Sequence, residues 1–344
     1  MYLNIWDFED TNYPFQVVIG GRGCGKTYSA LKGCLERKDK FILMRRTQKE
    51  IELLKDSYDF KEGANPFKAV NNDMGTNVGI CTINKDLLGI FNRKEDEEGN
   101  LKPIGDPIGY CLALSTIATI RGVDFSDCKY IIFDEFIPEK HVRKMKNEGT
   151  ASLNAYETIN RNREFLGLPP IQFWFLANSN DIYNDLFVDL GVVHQIEKMM
   201  NKGQNNRYFK EKGLAIHLIN NNGEFVEKKK HTALYKLTHG TSFYDMSLNN
   251  EFAYNDFSKI ASRNIKGYTP ICALDNAYIY KKKGQQLFYV SYAKSDCPKF
   301  SAKKENEKIY FMRTYGILIY NAFVKGGVEF ETYELKRFVL DIVA

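Results

Sequence analysis

The sequence predicts an α/β protein with a parallel sheet covered by helices on both faces, followed by a small α+β domain. First, short apolar runs without polar alternation, typical of strands buried on both faces, occur at residues 15–19, 41–44, 130–133 and 171–177. Second, segments rich in helix formers lie between several of these runs. Third, the first run leads into a glycine-rich turn and then into a helix-forming stretch, residues 28–36.

Weaker patterns complete the predicted order of elements. Further strands are expected at residues 78–83, 87–91, 108–114 and 214–219, a helix at 153–163, and a loop at 58–75. After residue 257, β-type segments at 277–280, 287–291 and 315–320 indicate the small domain. We therefore predict a first domain at 1–225, a linker at 226–256 and a C-terminal domain at 257–344.

Composition places few limits on function. The 344 residues carry a formal net charge of +5, which permits a polyanionic partner without requiring one. The seven cysteines form no CxxC pair, and the five histidines show no HExxH or HxxxH spacing, so free thiols and no structural metal are expected. The N-terminus is acidic and lacks an apolar signal region, so we expect a soluble, cytoplasmic protein.

The glycine-rich turn Gly20-Gly-Arg-Gly-Cys-Gly-Lys-Thr27 fits the phosphate-loop pattern GxxxxGK[ST] between a strand and a helix. Backbone N–H groups of such a loop, aided by the helix N-terminus, bind phosphate oxygens. Lys26 is expected on the β- and γ-phosphates and Thr27 on Mg²⁺. Arg22 could reach the γ-phosphate or anchor a neighbouring carboxylate. The predicted nucleotide contacts are Gly20, Gly21, Arg22, Gly23, Cys24, Gly25, Lys26, Thr27 and Tyr28.

Two carboxylates end the apolar run at 130–133. We expect Asp134 to hold Mg²⁺ through water and Glu135 to act as the general base on an attacking water; the alternative is a strand that runs into an acidic turn. The long interval between Lys26 and Asp134 leaves room for an additional strand between theirs. Asn178, at the end of the next buried run, is either a γ-phosphate sensor or a turn cap.

Arginines and basic loops suggest further roles. Arg121, Arg161 and Arg163 are candidates for stabilising charge on a transferring phosphoryl group, although a surface arginine is usually only solvated. Candidate DNA contacts are Lys49, Lys140, Arg143, Lys144 and the run at 228–230. A solvated charged loop is the alternative for these lysines and arginines. No pattern suggests base reading, so any DNA binding should be directed at the backbone.

These motifs together resemble the DNA-packaging ATPases of small short-tailed bacteriophages, relatives of the FtsK/HerA translocases. The resemblance covers residues 15–252 in order. It rests on the phosphate loop, Phe-Ile-Leu-Met-Arg-Arg at 41–46, Phe-Asp-Glu-Phe-Ile-Pro-Glu-Lys at 133–140, Arg-Asn-Arg-Glu at 161–164, Leu-Ala-Asn at 176–178 and Met-Ser-Leu-Asn-Asn-Glu-Phe at 246–252.

The resemblance implies a P-loop NTPase core of the additional-strand, catalytic-glutamate type. It implies a homo-oligomeric ring, typically a pentamer, on the procapsid portal vertex, with double-stranded DNA in the channel and ATP with Mg²⁺ as fuel. Arg161 is implied as a finger acting in trans, and Arg121 as a trans-acting basic residue where the family has lysine. The family's DNA-gripping lysine falls near Gln48, which leaves Lys49 as the candidate. The C-terminal domain would be a vestigial RNase H-like fold that does not cleave.

Four other functions are alternatives to this DNA pump. A cellular FtsK/HerA-type pump shares the same motifs. A small-molecule kinase is disfavoured by the paired carboxylates Asp134 and Glu135, and a GTPase by the lack of NKxD spacing at residues 84–86. A nucleotide-gated clamp that binds without turnover would tolerate Glu135→Gln.

Overall fold

The computed structural model describes residues 3–55, 65–84, 87–120, 122–139, 142, 145–179, 181–219, 223–241, 244 and 255–344. The chain divides into two compact units. The first contains Met1–Asp189 and Met199–Tyr254, and the second contains Leu190–Lys198 and Asn255–Ala344. Within the described part of the chain, no helix is both long and apolar enough to cross a membrane.

The first unit contains a nine-stranded sheet in its described residues. The strand order is β3-β4-β5-β2-β6-β7-β1-β9-β8. The run from β5 to β9 is parallel, and the outer strands β3, β4 and β8 pair antiparallel. The strands are β1 Phe15–Gly20, β2 Phe41–Arg45, β3 Val78–Asn84, β4 Leu87–Glu95, β5 Leu101–Ala113, β6 Tyr130–Asp134, β7 Gln172–Ala177, β8 Asn206–Phe209 and β9 Leu214–Ile219.

Helices lie between these strands and after the last of them along the chain. They are α1 Lys26–Arg37, α2 Gln48–Leu54, α3 Lys68–Met74, α4 Glu148–Asn160, α5 Asp185–Leu190, α6 Val193–Asn201, α7 Gly223–Lys230 and α8 Ala233–Leu237. Local chemistry explains where α2 begins, because Thr47 and Glu50 form a reciprocal capping box that satisfies free N–H groups. The predicted α/β class, with a parallel sheet and an additional strand between those of the two motifs, is confirmed.

The N-terminal segment packs against the core beside helix α1. The Trp6 indole Nε1 donates a 2.8 Å hydrogen bond to the carbonyl oxygen of Ser29 on α1. Gly33 makes this approach possible, since a Cβ atom there would lie 1.8 Å from the same nitrogen. Trp6 also packs at 5.2 Å between ring centroids against the fully buried Trp174 of β7. These contacts fix α1 against the sheet.

The second unit has a five-stranded sheet in the order β13-β10-β11-β12-β14. The three central strands are antiparallel, and a parallel strand flanks each side. The strands are β10 Tyr268–Leu274, β11 Ala277–Lys282, β12 Phe288–Ser291, β13 Lys299–Phe300 and β14 Val328–Phe330, with helices α9 Glu305–Phe311, α10 Ile317–Val324 and α11 Tyr333–Val343. The predicted α+β domain is confirmed; its likeness to RNase H stays a prediction.

Two predictions of local structure were wrong. The strand predicted at 315–320 lies in a π-helix, Met312–Gly316, and in α10. An apolar run this short fits a strand or a helix, and its buried residues Gly316 and Ile319 are three apart, which is helical spacing. The loop predicted at 58–75 contains helix α3, which is held because Phe67 and Val70 are fully buried. The helix predicted at 153–163 is α4, Glu148–Asn160, and α6 and β8 were not predicted.

Candidate nucleotide-binding site

The phosphate loop has the backbone that its glycines permit. Gly23 and Gly25 have φ values of 75° and 99°, in the left-handed region that other residues avoid. A Cβ on Gly20, at the end of β1, would lie 3.0 Å from the Cβ of Ile219 on the neighbouring strand. The sequence Gly-x-x-Gly-x-Gly is therefore required by both conformation and packing.

Lys26 lies folded into this loop. Its Nζ donates to the carbonyl oxygens of Gly20 at 2.9 Å and Gly21 at 3.0 Å, and to Asn178 Oδ1 at 3.2 Å. Burial lowers the pKa of the Lys26 ammonium, because its charge is partly removed from water. The contact with Asn178 arises because β7, which ends one residue earlier, is paired with β1.

Asp134 lies at the end of β6 on the other side of β7. Both of its carboxylate oxygens accept a 2.9 Å hydrogen bond from the Thr27 hydroxyl. Burial raises the pKa of Asp134, and the Arg45 guanidinium opposes that shift. A hydroxyl and a carboxylate side by side are oxygen ligands of the kind Mg²⁺ prefers, so these two residues fit a magnesium ion.

Arg45, which the sequence analysis did not single out as a site residue, bridges both acids. Its Nη2 lies 2.7 Å from Asp134 Oδ2, and its Nη1 lies 2.6 Å from Glu135 Oε2. The signal that could have found it is positional. Arg45 ends β2, which pairs in parallel with β6, so its side chain reaches the same edge of the sheet.

Glu135 is held in a strained backbone conformation. Its φ is 59°, which is uncommon for a residue other than glycine. Residues in such conformations cluster at functional sites. Its side chain is 62% exposed, unlike that of Asp134. The two adjacent carboxylates thus differ, one buried against Thr27 and one accessible to solvent.

A cavity of about 720 Å³ joins these groups. Its lining residues are Arg22, Gly23, Gly25, Lys26, Thr27, Tyr28, Ala69, Asp73, Asp134, Glu135, Glu139, Ala177 and Asn178. Arg22 forms an ion pair with Glu139, the carboxylate partner that the sequence left open. Cys24 is buried, with its Sγ 3.6 Å from the ammonium of Lys26.

The two arginines that follow α4 differ in environment. The Arg161 side chain donates to the carbonyl oxygens of Val123 at 2.5 Å and Thr158 at 3.2 Å, and it does not line the cavity. Arg163 is buried, and its guanidinium donates to three backbone carbonyls, those of Ser126, Cys128 and Pro169. Arg163 therefore holds the fold together, whereas Arg161 is the more accessible candidate for a role in trans.

The remaining predicted residues are only partly described. Arg121, Lys140, Arg143 and Lys144 lie outside the described residues. Lys49 is exposed on α2. In the lysine run at 228–230, Lys229 donates a hydrogen bond to the Arg22 carbonyl oxygen, which ties α7 to the phosphate loop.

Comparison with known proteins identifies the family of this chain. The model of the podovirus DNA encapsidation protein (Gp16) family matches residues 104–336, more than half of the chain. This chain belongs to the podovirus DNA encapsidation protein family. The match begins after the phosphate loop, so the loop and its geometry are independent support for a nucleotide site.

Individual relatives extend the likeness over nearly the whole chain. The DNA packaging protein of Bacillus phage PZA is 23% identical over 342 residues, which cover 94% of this chain and 92% of the relative. The bacteriophage Phi-29 viral genome packaging motor assembly is similar in structure, with 20% identity, a TM-score of 0.64, and coverage of 99% and 98%. The Phi-28 gp11 DNA packaging motor is also similar in structure, with 19% identity and a TM-score of 0.63. The match covers 99% of this chain and 97% of that chain. At these identities, the solved structures show that the fold is shared.

Proposed function

We propose that this encapsidation protein hydrolyses ATP and uses the energy to move double-stranded DNA into a viral procapsid. The observation that carries the proposal is the convergence of Lys26, Thr27, Asp134, Glu135 and Asn178 on one cavity. Asp134 ends β6, and Glu135 and Asn178 directly follow β6 and β7. Lys26 and Thr27 begin α1, after the loop that follows β1. Their types match the binding, metal-holding and proton-accepting groups of phosphoryl transfer to water.

Each residue has a distinct proposed task. The loop amides and Lys26 bind the phosphates, while Thr27 and Asp134 hold Mg²⁺, which would neutralise charge on the phosphate oxygens. The carboxylate of Glu135 accepts the proton of the attacking water, and the Asn178 amide contacts the γ-phosphate. Glu135 is paired with Arg45 through Oε2, and the remaining lone pairs of its carboxylate can accept the proton.

The assembly is part of the same proposal. Family membership and the packaging relatives support a homo-oligomeric ring, which we propose to be a pentamer, on the portal vertex in the host cytoplasm. Arg161 of one subunit would complete the site of its neighbour, with Arg121 as a second trans-acting group. Residues 1–225 would form the motor and 226–256 a linker to a domain at 257–344. The proposed contacts with DNA phosphates are Lys49, Lys140, Arg143 and Lys144.

The test is steady-state ATP hydrolysis over a range of protein concentrations, with and without double-stranded DNA. We expect activity to rise with both, and to be lost in Glu135→Gln and Arg161→Ala. Adding Arg161→Ala protein should also inhibit the wild type, because mixed rings would contain incomplete sites. Matched controls are Glu157→Gln and Arg313→Ala, exposed residues away from the cavity, which should keep activity.

The alternatives give different results. Equal turnover by a dilute wild-type monomer, independent of DNA and of Arg161, would support a metabolic P-loop enzyme. Nucleotide binding without turnover, and full DNA retention by Glu135→Gln, would support a clamp. Either result would overturn the motor proposal.

A further inference from the structure

Beside the phosphate-binding groups, the cavity is lined by further residues of α1 and by residues of α3. Tyr28 comes directly after Thr27 on α1, while Ala69 and Asp73 belong to α3. Residues four apart in a helix lie on the same face, so Ala69 and Asp73 share the face that lines the cavity. A nucleotide with its phosphates on Lys26 and Thr27 would place its nucleoside near Tyr28.

Helix α3 is firmly anchored at this position. Phe67 and Val70 are fully buried in the core. In the middle of the helix, Asn71 Oδ1 accepts hydrogen bonds from the Val78 amide at 2.9 Å and the Thr76 hydroxyl at 3.0 Å, and Asn71 Nδ2 donates to the Val78 carbonyl at 2.9 Å. Asp73 is therefore presented from a backbone that both the core and β3 hold in place.

Asp73 has the chemistry to recognise a hydrogen-bond donor. Its carboxylate accepts from the Tyr28 hydroxyl, and its Oδ2 lies 3.6 Å from Lys32 Nζ. The hydrogen bond to Asp73 is the main cause of a raised pKa at Tyr28. An ionised carboxylate offers about four lone-pair positions, so these two neighbours leave acceptor capacity. The side chain of Asp73 is 54% exposed, so a ligand in the cavity can reach it.

We propose that Asp73 selects the nucleoside of the bound nucleotide by accepting a hydrogen bond from it, while the Tyr28 ring packs against the nucleoside. The donors available on an adenine ribonucleotide are the ribose hydroxyls and the 6-amino group. This inference rests on the proposed use of ATP, but it makes a separate claim about two residues that take no part in hydrolysis.

The experiment measures binding of diphosphates by calorimetry, so that turnover does not interfere. ADP, 2′-deoxy-ADP, 3′-deoxy-ADP and IDP are compared on the wild type and on Asp73→Ala. For the wild type we expect one analogue to bind roughly tenfold more weakly than ADP, the size of one lost hydrogen bond to a charged group. In Asp73→Ala this ratio should fall to about 1, because the acceptor is gone.

Controls separate recognition from folding. Asp127→Ala removes a similarly exposed carboxylate, 52% exposed and paired with Lys40, and should keep the wild-type ratio. Asp73→Asn retains an acceptor oxygen and should keep part of the discrimination. A weak deoxy analogue identifies the ribose as the donor, and weak IDP identifies the base.

Two outcomes would overturn the inference: equal binding of all four nucleotides by the wild type, or a parallel loss for all four in Asp73→Ala. ATP hydrolysis is measured on the same samples. Turnover with unchanged ratios would refute only the role of Asp73, whereas neither binding nor turnover by the wild type would refute the proposed function itself.

Discussion

Replacing Arg45 by methionine tests how the two acids of the site are held. Methionine keeps much of the length and apolar volume of the side chain but removes both ion pairs. Asp134 would then keep its Thr27 hydrogen bond but lose its nearest cation. Because Asp134 is only 3% exposed, its charge cannot regain full hydration, and the fold should lose stability.

The magnitude follows from the geometry. The guanidinium and the Asp134 carboxylate are in direct contact at 2.7 Å, which places their charge centres about 4 Å apart. Two unit charges at about 4 Å interact by about 4 kcal/mol at an effective dielectric constant of about 20. The exposed Glu135 contributes at most about 1 kcal/mol. The variant no longer has the cost of burying the Arg45 guanidinium, and this gain offsets part of the lost attraction. We therefore expect Arg45→Met to lower the free energy of unfolding by about 2–4 kcal/mol.

A double-mutant cycle with Asp134→Asn isolates the pair. Urea unfolding at pH 8 is measured for the wild type, both single variants and the double variant. The double variant should lose less unfolding free energy than the sum of the losses in the two single variants, by about 2 kcal/mol or more. The cost of Arg45→Met should also shrink at lower pH, because the raised pKa of Asp134 favours its neutral form. A coupling energy below about 0.5 kcal/mol at pH 8 would refute this account.

Two further predictions concern buried groups. His217 is fully buried and its pKa is lowered to about 4, so its stabilising effect is present above about pH 6.5 and is lost as pH falls through 4. Between pH 7 and 4.5, the wild type should lose about 2–3 kcal/mol more unfolding free energy than His217→Gln in urea titrations; equal slopes would contradict this. Arg163→Ala should cost about 3 kcal/mol, because three carbonyls lose their donor, whereas Arg161→Ala should cost less than about 1 kcal/mol. The same titrations compare the two variants, and similar costs would mean that lost activity in Arg161→Ala reflects folding.

Much of the candidate site could be predicted because its motifs are local. The loop at 20–27 contains its glycines, lysine and threonine within eight residues, and the strand-loop-helix context is visible in the same stretch. Asp134, Glu135 and Asn178 each end an apolar run. Since parallel strands present their carboxyl ends at one edge, their meeting with Lys26 was a reasonable prediction. The structure shows Lys26 in direct contact with Asn178.

Other features could not be predicted because they depend on contacts between distant segments. Short apolar runs do not distinguish strand from helix, which is why residues 315–320 were assigned wrongly. Helix α3 could not be recognised in the polar residues 58–75. Its few buried side chains stabilise it more than its intrinsic helix propensity does. The division of labour between Arg161 and Arg163 is likewise invisible in Arg-Asn-Arg, because it depends on carbonyls 35 or more residues away along the chain.

By itself, the sequence determined the alternation of strands and helices, the phosphate loop and the acidic strand end, because backbone propensity and glycine conformation act over a few residues. Tertiary structure alone decided that the strand between β1 and β6 is β7, that Arg45 bridges Asp134 and Glu135, and that Asp73 lines the same cavity as Lys26. The physical reason is that strand order and helix packing are set by burial of the whole core, so side chains far apart in sequence meet only once the chain has folded.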